Sequence, residues 1–417
     1  MTLSESQRRD ILSKVLQTID KQFMGAAPDT TGLRREHEDA IVRSADTEQF
    51  EAAMNALLRS LGTSHVGLFH DSRPRAAGRV AIAATFMKTD TPDGPRWMFQ
   101  DVHPGGAAAG AGIQPGDVLL TIDGKEVVPP DGLPFQLGTA YTFTIRRPNG
   151  ATAQPTVAVP GSKEKKRPIV VPDQVVTAAK LDDGTGLIRV SMFPGVLGMD
   201  VARDMSRAVA DLAADRLIID LRGNTGGGIG CLRLMSLMCP DRRGVGYSVS
   251  RAVASRGFDK EHLPAFDRIP TSKLGVLPLA IRFARAKRSV AIFTEALGAQ
   301  RHHGRTALLM NEHSASAAEM VAAFASESGL ATVVGTKTPG RLVATSGFKV
   351  GHGYRVALPV AAYYTWEGTN LEGRGVAPDV EEPLCADALG RGEDSQLGRA
   401  LAHLTRDDGG LRTEVRL

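Results

Sequence analysis

The chain has 417 residues, 42% apolar and 23% charged, with 45 glycines and only 5% aromatics; these values exclude a disordered or fibrous chain and suggest two or three globular domains. Fifty basic residues against 46 acidic ones leave a formal charge of +4. That near-balance, with one local run at Arg282, Arg285, Lys287 and Arg288 and no aromatics interleaved, argues against a nucleic-acid partner.

Residues 1–72 read as a helical segment. Ile11, Leu12, Val15, Leu16, Ile19 and Phe23 recur at helical spacing, and so do Phe50, Met54, Leu57, Leu58 and Leu61, with Gly62 as a stop. Thr63 to Phe69 reads as extended. From 76 to 160 the pattern changes to short β runs, namely Val80-Ala81-Ile82, Trp97-Met98-Phe99 and Val118 to Ile122. Turn signals such as Asp123-Gly124 and Asn149-Gly150 separate them. The polar, basic stretch Ser162 to Lys166, with Pro168 after it, reads as a linker.

Residues 168–390 alternate strands and helices. Leu187 to Val190, Leu217 to Ile219 and Thr306 to Met310 predict strands. Val201, Met205, Val209 and Leu212 mark an amphipathic helix, and another starts near Ala317. This strand–turn–helix order predicts an α/β core with functional groups at strand ends. Residues 391–417 read as a short helical tail. Cys231, Cys239 and Cys385 are an odd number without CxxC spacing, so no disulfide framework is expected. The polar start MTLSESQRRD and the absence of an 18-residue apolar stretch lead to the expectation of a cytoplasmic chain without membrane association. His302-His303 has no ligand partner at useful spacing, so neither a metal nor another cofactor is expected.

Three segments carry chemistry. Val102 to Leu119 holds small residues that suit a short helix against a sheet, and Gly116-Asp117 and Asp123-Gly124 suit tight turns. The combination resembles a PDZ domain, which binds extended peptides by strand addition and captures terminal carboxylates. Asp220-Leu221-Arg222-Gly223-Asn224-Thr225-Gly226-Gly227-Gly228 ends a strand in a turn almost free of side chains, which suits either close approach of a ligand or a purely structural bend. His313-Ser314-Ala315-Ser316-Ala317-Ala318-Glu319 sits between a strand and a helix. Ser316 there is either an exposed nucleophile beside oxyanion-binding amides or, with Glu319, a capping box.

Together, and with Ser64-His65 and Leu371-Glu372-Gly373-Arg374-Gly375-Val376-Ala377-Pro378-Asp379, these segments resemble the carboxy-terminal processing (tail-specific) serine peptidases from about residue 50 to 385. The resemblance implies a crotonase- or ClpP-like βα spiral core, a helical N-terminal segment and an inserted PDZ domain. It places Ser316 at the nucleophile position. One position departs from the Ser–Lys branch: the turn Lys337-Thr338-Pro339-Gly340-Arg341 carries Arg341 in place of the usual Lys. An arginine stays protonated at working pH and cannot act as a base. Lys337 and His313 are nearby rivals. Ser64-His65 instead resembles the tricorn-core branch, where a Ser-His pair, a distant Ser and a Glu form a tetrad. The implied catalytic set is Ser316, His65, Ser64 and Glu372, with Glu367 as a competitor for the last. Gly226 or Gly227, with Ala317, would bind the oxyanion. Arg341, with Gly340 beside it, would bind a substrate carboxylate or brace the loop. A base of this kind implies activity that rises as an imidazole ordinarily deprotonates, around a pKa of about 6.5. The expected partner is a peptide or protein held through the PDZ domain, and a homo-oligomer stays open. The rival readings are a catalytically inactive PDZ-containing peptide-binding scaffold and a small-ligand carrier.

Overall fold

The computed structural model describes residues 3–405 except 27, 73, 74, 131, 163–169, 271, 273, 274, 276–280, 282–288, 299–301 and 303. The expected linker, the basic run Arg282 to Arg288, His303 and the last twelve residues therefore fall outside, apart from Ser162. Three helices come first: α1 (Glu5–Gln22), α2 (Thr30–Val42) and α3 (Thr47–Arg59). A capping box between Ser4 and Gln7 starts α1. The apolar stripes of α1 and α3 are buried as their spacing predicts. The helix α2 escapes such a reading because it buries only Ile41 and Val42.

The stretch after α3 is a correction to the sequence reading. Only Gly67–His70 forms a strand, β1, and His65 adopts a left-handed φ of 60°. Ser64 and His65 therefore lie on a sharp turn and not on an extended segment.

The next region is β-rich: β2 (Arg75–Ala77), α4 (Gly78–Ala81), β3 (Ala84–Thr91), β4 (Gly94–Val102), α5 (Ala107–Gly110), β5 (Val118–Ile122), β6 (Lys125–Glu126), β7 (Pro134–Gln136), β8 (Ala140–Arg146), β9 (Thr152–Ala153) and β10 (Thr156–Ala158). The principal sheet has the order β10-β8-β5-β4-β3 around Phe99, Leu119, Phe135, Phe143 and Ile145. The run Val80-Ala81-Ile82, expected as a strand, belongs to the helical turn α4. A three-residue apolar run cannot distinguish the two, and here the chain must bend after β2 pairs with β7.

The principal elements that remain are β11 (Val176–Lys180), β12 (Gly186–Val190), α6 (Met199–Leu212), β13 (Arg216–Asp220), α7 (Leu232–Met238), β14 (Gly244–Val249), β15 (Ala265–Phe266), β16 (Val290–Phe293), β17 (Arg305–Met310), α8 (Ala317–Glu327), β18 (Thr332–Gly335), β19 (Val343–Gly351), β20 (Tyr354–Thr365), β21 (Val380–Glu381) and α9 (Ser395–Thr405), with short helical turns between some of them. One sheet runs β11-β12-β13-β17-β18-β21, parallel from β12 onward. Side chains alternate across its two faces. Leu217, Ile219, Leu308 and Met310 join the core shared with α6, α7 and α8. Ile218, Ala307 and Leu309 face Ala400 and Leu404 of α9. A second sheet, β1-β20-β14-β16-β15 with β19 on β20, packs Val350, Tyr354, Val356 and Leu358 against α1 and α3. This is a mixed α/β fold with a β-rich insert. No helix among the described residues is long and apolar enough to cross a membrane.

Candidate active site

Strands β13 and β17 are parallel neighbours, and each delivers a turn at its C-terminal end. Side chains and backbone knit the two turns together. Gly223 N–H donates to Asn311 Oδ1 (3.0 Å), Ser314 Oγ to Leu221 O (2.8 Å) and Ala315 N–H to Asn224 O (2.9 Å). Ser316 follows at the start of α8 with φ 58° and ψ −117°, a conformation that costs a non-glycine residue about 1–3 kcal/mol. Strain of this order persists only where the surroundings enforce it, and it marks the turn as more than a cap.

Gly226 permits the close contact. A Cβ on it would lie 2.6 Å from Ser316 Cβ and 3.0 Å from Ala317 N. Its own amide donates to Asn224 Oδ1 at 2.7 Å, so of the two glycines expected to bind an oxyanion, Gly226 has its donor committed within the turn. Gly227, at φ 136°, has no room for a side chain because Phe193 O would stand 2.0 Å from it. Gly227 is the exposed residue of the turn. The amides of Gly227 and Ala317 have no hydrogen-bond acceptor among the described residues.

The second cluster gathers Ser64, His65 and Glu372. Ser64 Oγ lies 2.7 Å from His65 Nδ1 and 3.0 Å from Glu372 Oε2. Glu372 also accepts from Ser64 N–H (2.6 Å), Thr63 Oγ1 (3.0 Å) and Leu342 N–H (2.9 Å). Four donors converging on two oxygens suit a carboxylate, which only accepts. Ser64 must then give its single proton to Glu372, which leaves its lone pairs for an Nδ1–H of His65. This network assigns the tautomer in which Nδ1 carries the proton and Nε2 does not, the form a general base requires.

The residues 340–342 join the two clusters. Gly340 N–H (2.7 Å) and Arg341 N–H (2.8 Å) donate to Glu319, while the next amide, Leu342 N–H, donates to Glu372. Glu319 also accepts from Ser316 N–H (2.8 Å) and Thr338 Oγ1 (2.8 Å). Both halves of the expected capping box are therefore present, and its carboxylate also positions the neighbouring loop. Burial pushes the Glu319 carboxyl up, opposed by the hydrogen bonds from Thr338 and the three amides. Arg341 enters this network through its main chain, and its side chain is exposed. Arg79 of α4 lies close enough to feel it. Burial, with Arg341 next, pushes the Arg79 guanidinium down to about 10, which still leaves it charged at neutral pH.

His313 Nε2 contacts Phe86 O on β3 at 3.0 Å, Lys337 is exposed, and Glu367 occupies the turn after β20, where Gly368 N–H donates to Thr365 O. Below the site, Arg189 and Arg222 both bind Asp220. Burial works to raise that carboxyl, and the two guanidiniums outweigh it and hold it well below the usual carboxylate range. Arg222 also forks onto Asp394 at 2.8 and 2.7 Å. Sequence reasoning missed Thr63 and Asn224 and gave Glu319 only a capping role. A short polar residue inside a glycine-rich turn was the available signal for Asn224.

Comparison with known proteins bears on the family of the chain. Residues 184–382 match the model of peptidase family S41, and residues 98–133 match a PDZ domain. The chain is 25% identical over 314 residues to a carboxyl-terminal-processing protease of Picosynechococcus sp., covering 73% of this chain and 66% of that protein. It is 28% identical over 296 residues to one of Synechocystis sp., covering 68% and 59%. The match thus spans somewhat under two-thirds of the length of these relatives. Among solved structures, the photosystem II D1 C-terminal processing protease superposes with a TM-score of 0.56 at 18% identity, over 97% of this chain and 98% of that one.

Proposed function

We propose that this member of peptidase family S41, with its PDZ domain, is a serine endopeptidase acting on unfolded or C-terminal protein segments through Ser316, His65, Ser64 and Glu372. The observation that carries the reading is Ser64 Oγ poised between His65 Nδ1 and Glu372 Oε2. It fixes the tautomer of an imidazole, in a protein whose Ser–Lys position holds Arg341.

In this mechanism Ser316 Oγ attacks the peptide carbonyl as His65 Nε2 takes its proton. The tetrahedral oxyanion is received by Gly227 N–H and Ala317 N–H. His65 then protonates the leaving amine, and water hydrolyses the acyl-enzyme by the same route. Ser64 and Glu372 hold the imidazole tautomer and stabilise its charged form. The core is read as a crotonase-like spiral. Its boundaries are read as 1–72, 76–160 and 168–390, with the tail at 391–417. The PDZ domain delivers the substrate chain, and Arg341, with Gly340, borders the site where a substrate carboxylate would pass.

Intact-mass labelling with a fluorophosphonate probe tests this. One adduct is expected on the wild type and none on Ser316→Ala or His65→Ala. Labelling that survives His65→Ala removes His65 as the base. A folded wild type that never labels, even with an unstructured peptide present, supports the scaffold reading.

A further inference from the structure

Asn224 has no exposed surface and belongs to no part of the tetrad, yet it touches both halves of the oxyanion site. Its Oδ1 accepts Gly226 N–H at 2.7 Å and its Nδ2 donates to Val190 O at 2.6 Å. Its main-chain oxygen accepts Ala315 N–H at 2.9 Å, one residue before the nucleophile. An asparagine amide has one accepting end and one donating end, and each end here meets the opposite polarity. A carboxylate would turn an oxygen toward Val190 O, and an aliphatic side chain would strand both Gly226 N–H and Val190 O.

Fixing Gly226 against Ser316 and Ala317 decides where the next peptide lies, while the hold on Ala315 decides where Ala317 lies. We infer that Asn224 is a positioning residue that sets the separation of the two oxyanion donors, Gly227 N–H and Ala317 N–H. This inference rests on the serine-peptidase reading. Gly226 serves contact and Gly227 serves donation, and Asn224 enforces that division of roles.

Two measurements test it on the full chain. In the kinetic one, Asn224→Asp and Asn224→Ala should lower kcat about 10²- to 10³-fold, as loss of one oxyanion donor does, with KM nearly unchanged. Binding of a peptide aldehyde, whose adduct places an oxyanion in the hole, should weaken by a similar factor, and Thr225→Ala should change little. Equal losses in kcat and in substrate binding, or unaltered aldehyde affinity in a folded variant, overturn the inference. The second measurement needs no variant. In wild type labelled with ¹⁵N-glycine, the Gly226 amide should resist hydrogen exchange and hold its shift when the aldehyde binds, while the Gly227 amide should move downfield. A Gly226 amide that exchanges freely or moves with the ligand overturns the assignment. Failure of the wild type to label with fluorophosphonate at all would instead remove the peptidase reading beneath it.

Discussion

Ser64 has one hydroxyl proton, and where that proton goes fixes the chemistry of its neighbours. Donated to Glu372 Oε2, it leaves an acceptor for His65 Nδ1–H, the tautomer in which Nε2 carries no proton. Ser64→Ala deletes that acceptor, lets the imidazole change tautomer and leaves Glu372 with one donor fewer. The expected result is a fall in kcat of roughly 10²- to 10³-fold with KM nearly unchanged, measured on an unstructured fluorogenic peptide. Ser316 and His65 share a second property, a left-handed φ at a non-glycine residue, near 60° in both. Nothing in the local sequence announces this. Residue types of the site were legible because Ser, His and Glu stand in a family-like order. The main-chain role of Arg341 was not, because backbone amides leave no signature in a residue's identity.

At the scale of elements, the insert's strands bear directly on the turn after β17. Asp101 at the end of β4 accepts from Asn311 Nδ2 (2.9 Å), Gln100 donates to Glu312 (2.9 Å), and β3 meets His313. His103, just past β4, is 2% exposed and lies against Gly223. Burial pushes the His103 imidazole down, opposed chiefly by Asp101, so the folded protein holds it neutral. A base with a depressed folded pKa leaves stability intact at high pH. That stability is lost as pH falls below the unfolded value of about 6.5, where the unfolded chain gains a proton that the folded one refuses. Melting curves between pH 5 and 8 should show wild type losing stability below about 6.5, and His103→Leu should flatten that dependence. This contact could not be read from sequence. Periodicity reports which face of β4 is buried, but it is blind to the element across the interface. The same limit explains α4, where three apolar residues fit strand and helix equally until Gly78 is seen packed beneath Phe86.

Across the whole molecule, α9 is tied to β13 and β17, the strands that lead into the turns at Asn224 and Ser316. Its apolar face covers Ile218, Ala307 and Leu309, and Asp394 before its first turn holds the fork of Arg222 and accepts Leu397 N–H. Asp394→Ala removes both contacts and leaves part of a buried guanidinium unmatched. It should destabilise the core by about 1–3 kcal/mol, read as a lower midpoint in scanning calorimetry, with Asp394→Asn losing less. The alternation of strands and helices was legible in the apolar runs, because buried parallel strands are almost uniformly hydrophobic. The order of strands across each sheet was not, since that order is decided by pairing between distant parts of the chain.

The bond between Ser64 and Glu372 joins residues 308 positions apart. During synthesis, Ser64 and His65 leave the ribosome long before Glu372 exists. At ordinary elongation rates the interval is roughly 15–60 s. Throughout that time Ser64 lacks the carboxylate that takes its proton, and Ser316 is for most of it not yet made. On the proposed reading, a nascent chain lacks the assembled set of Ser64, His65, Ser316 and Glu372 until nearly all of it has emerged.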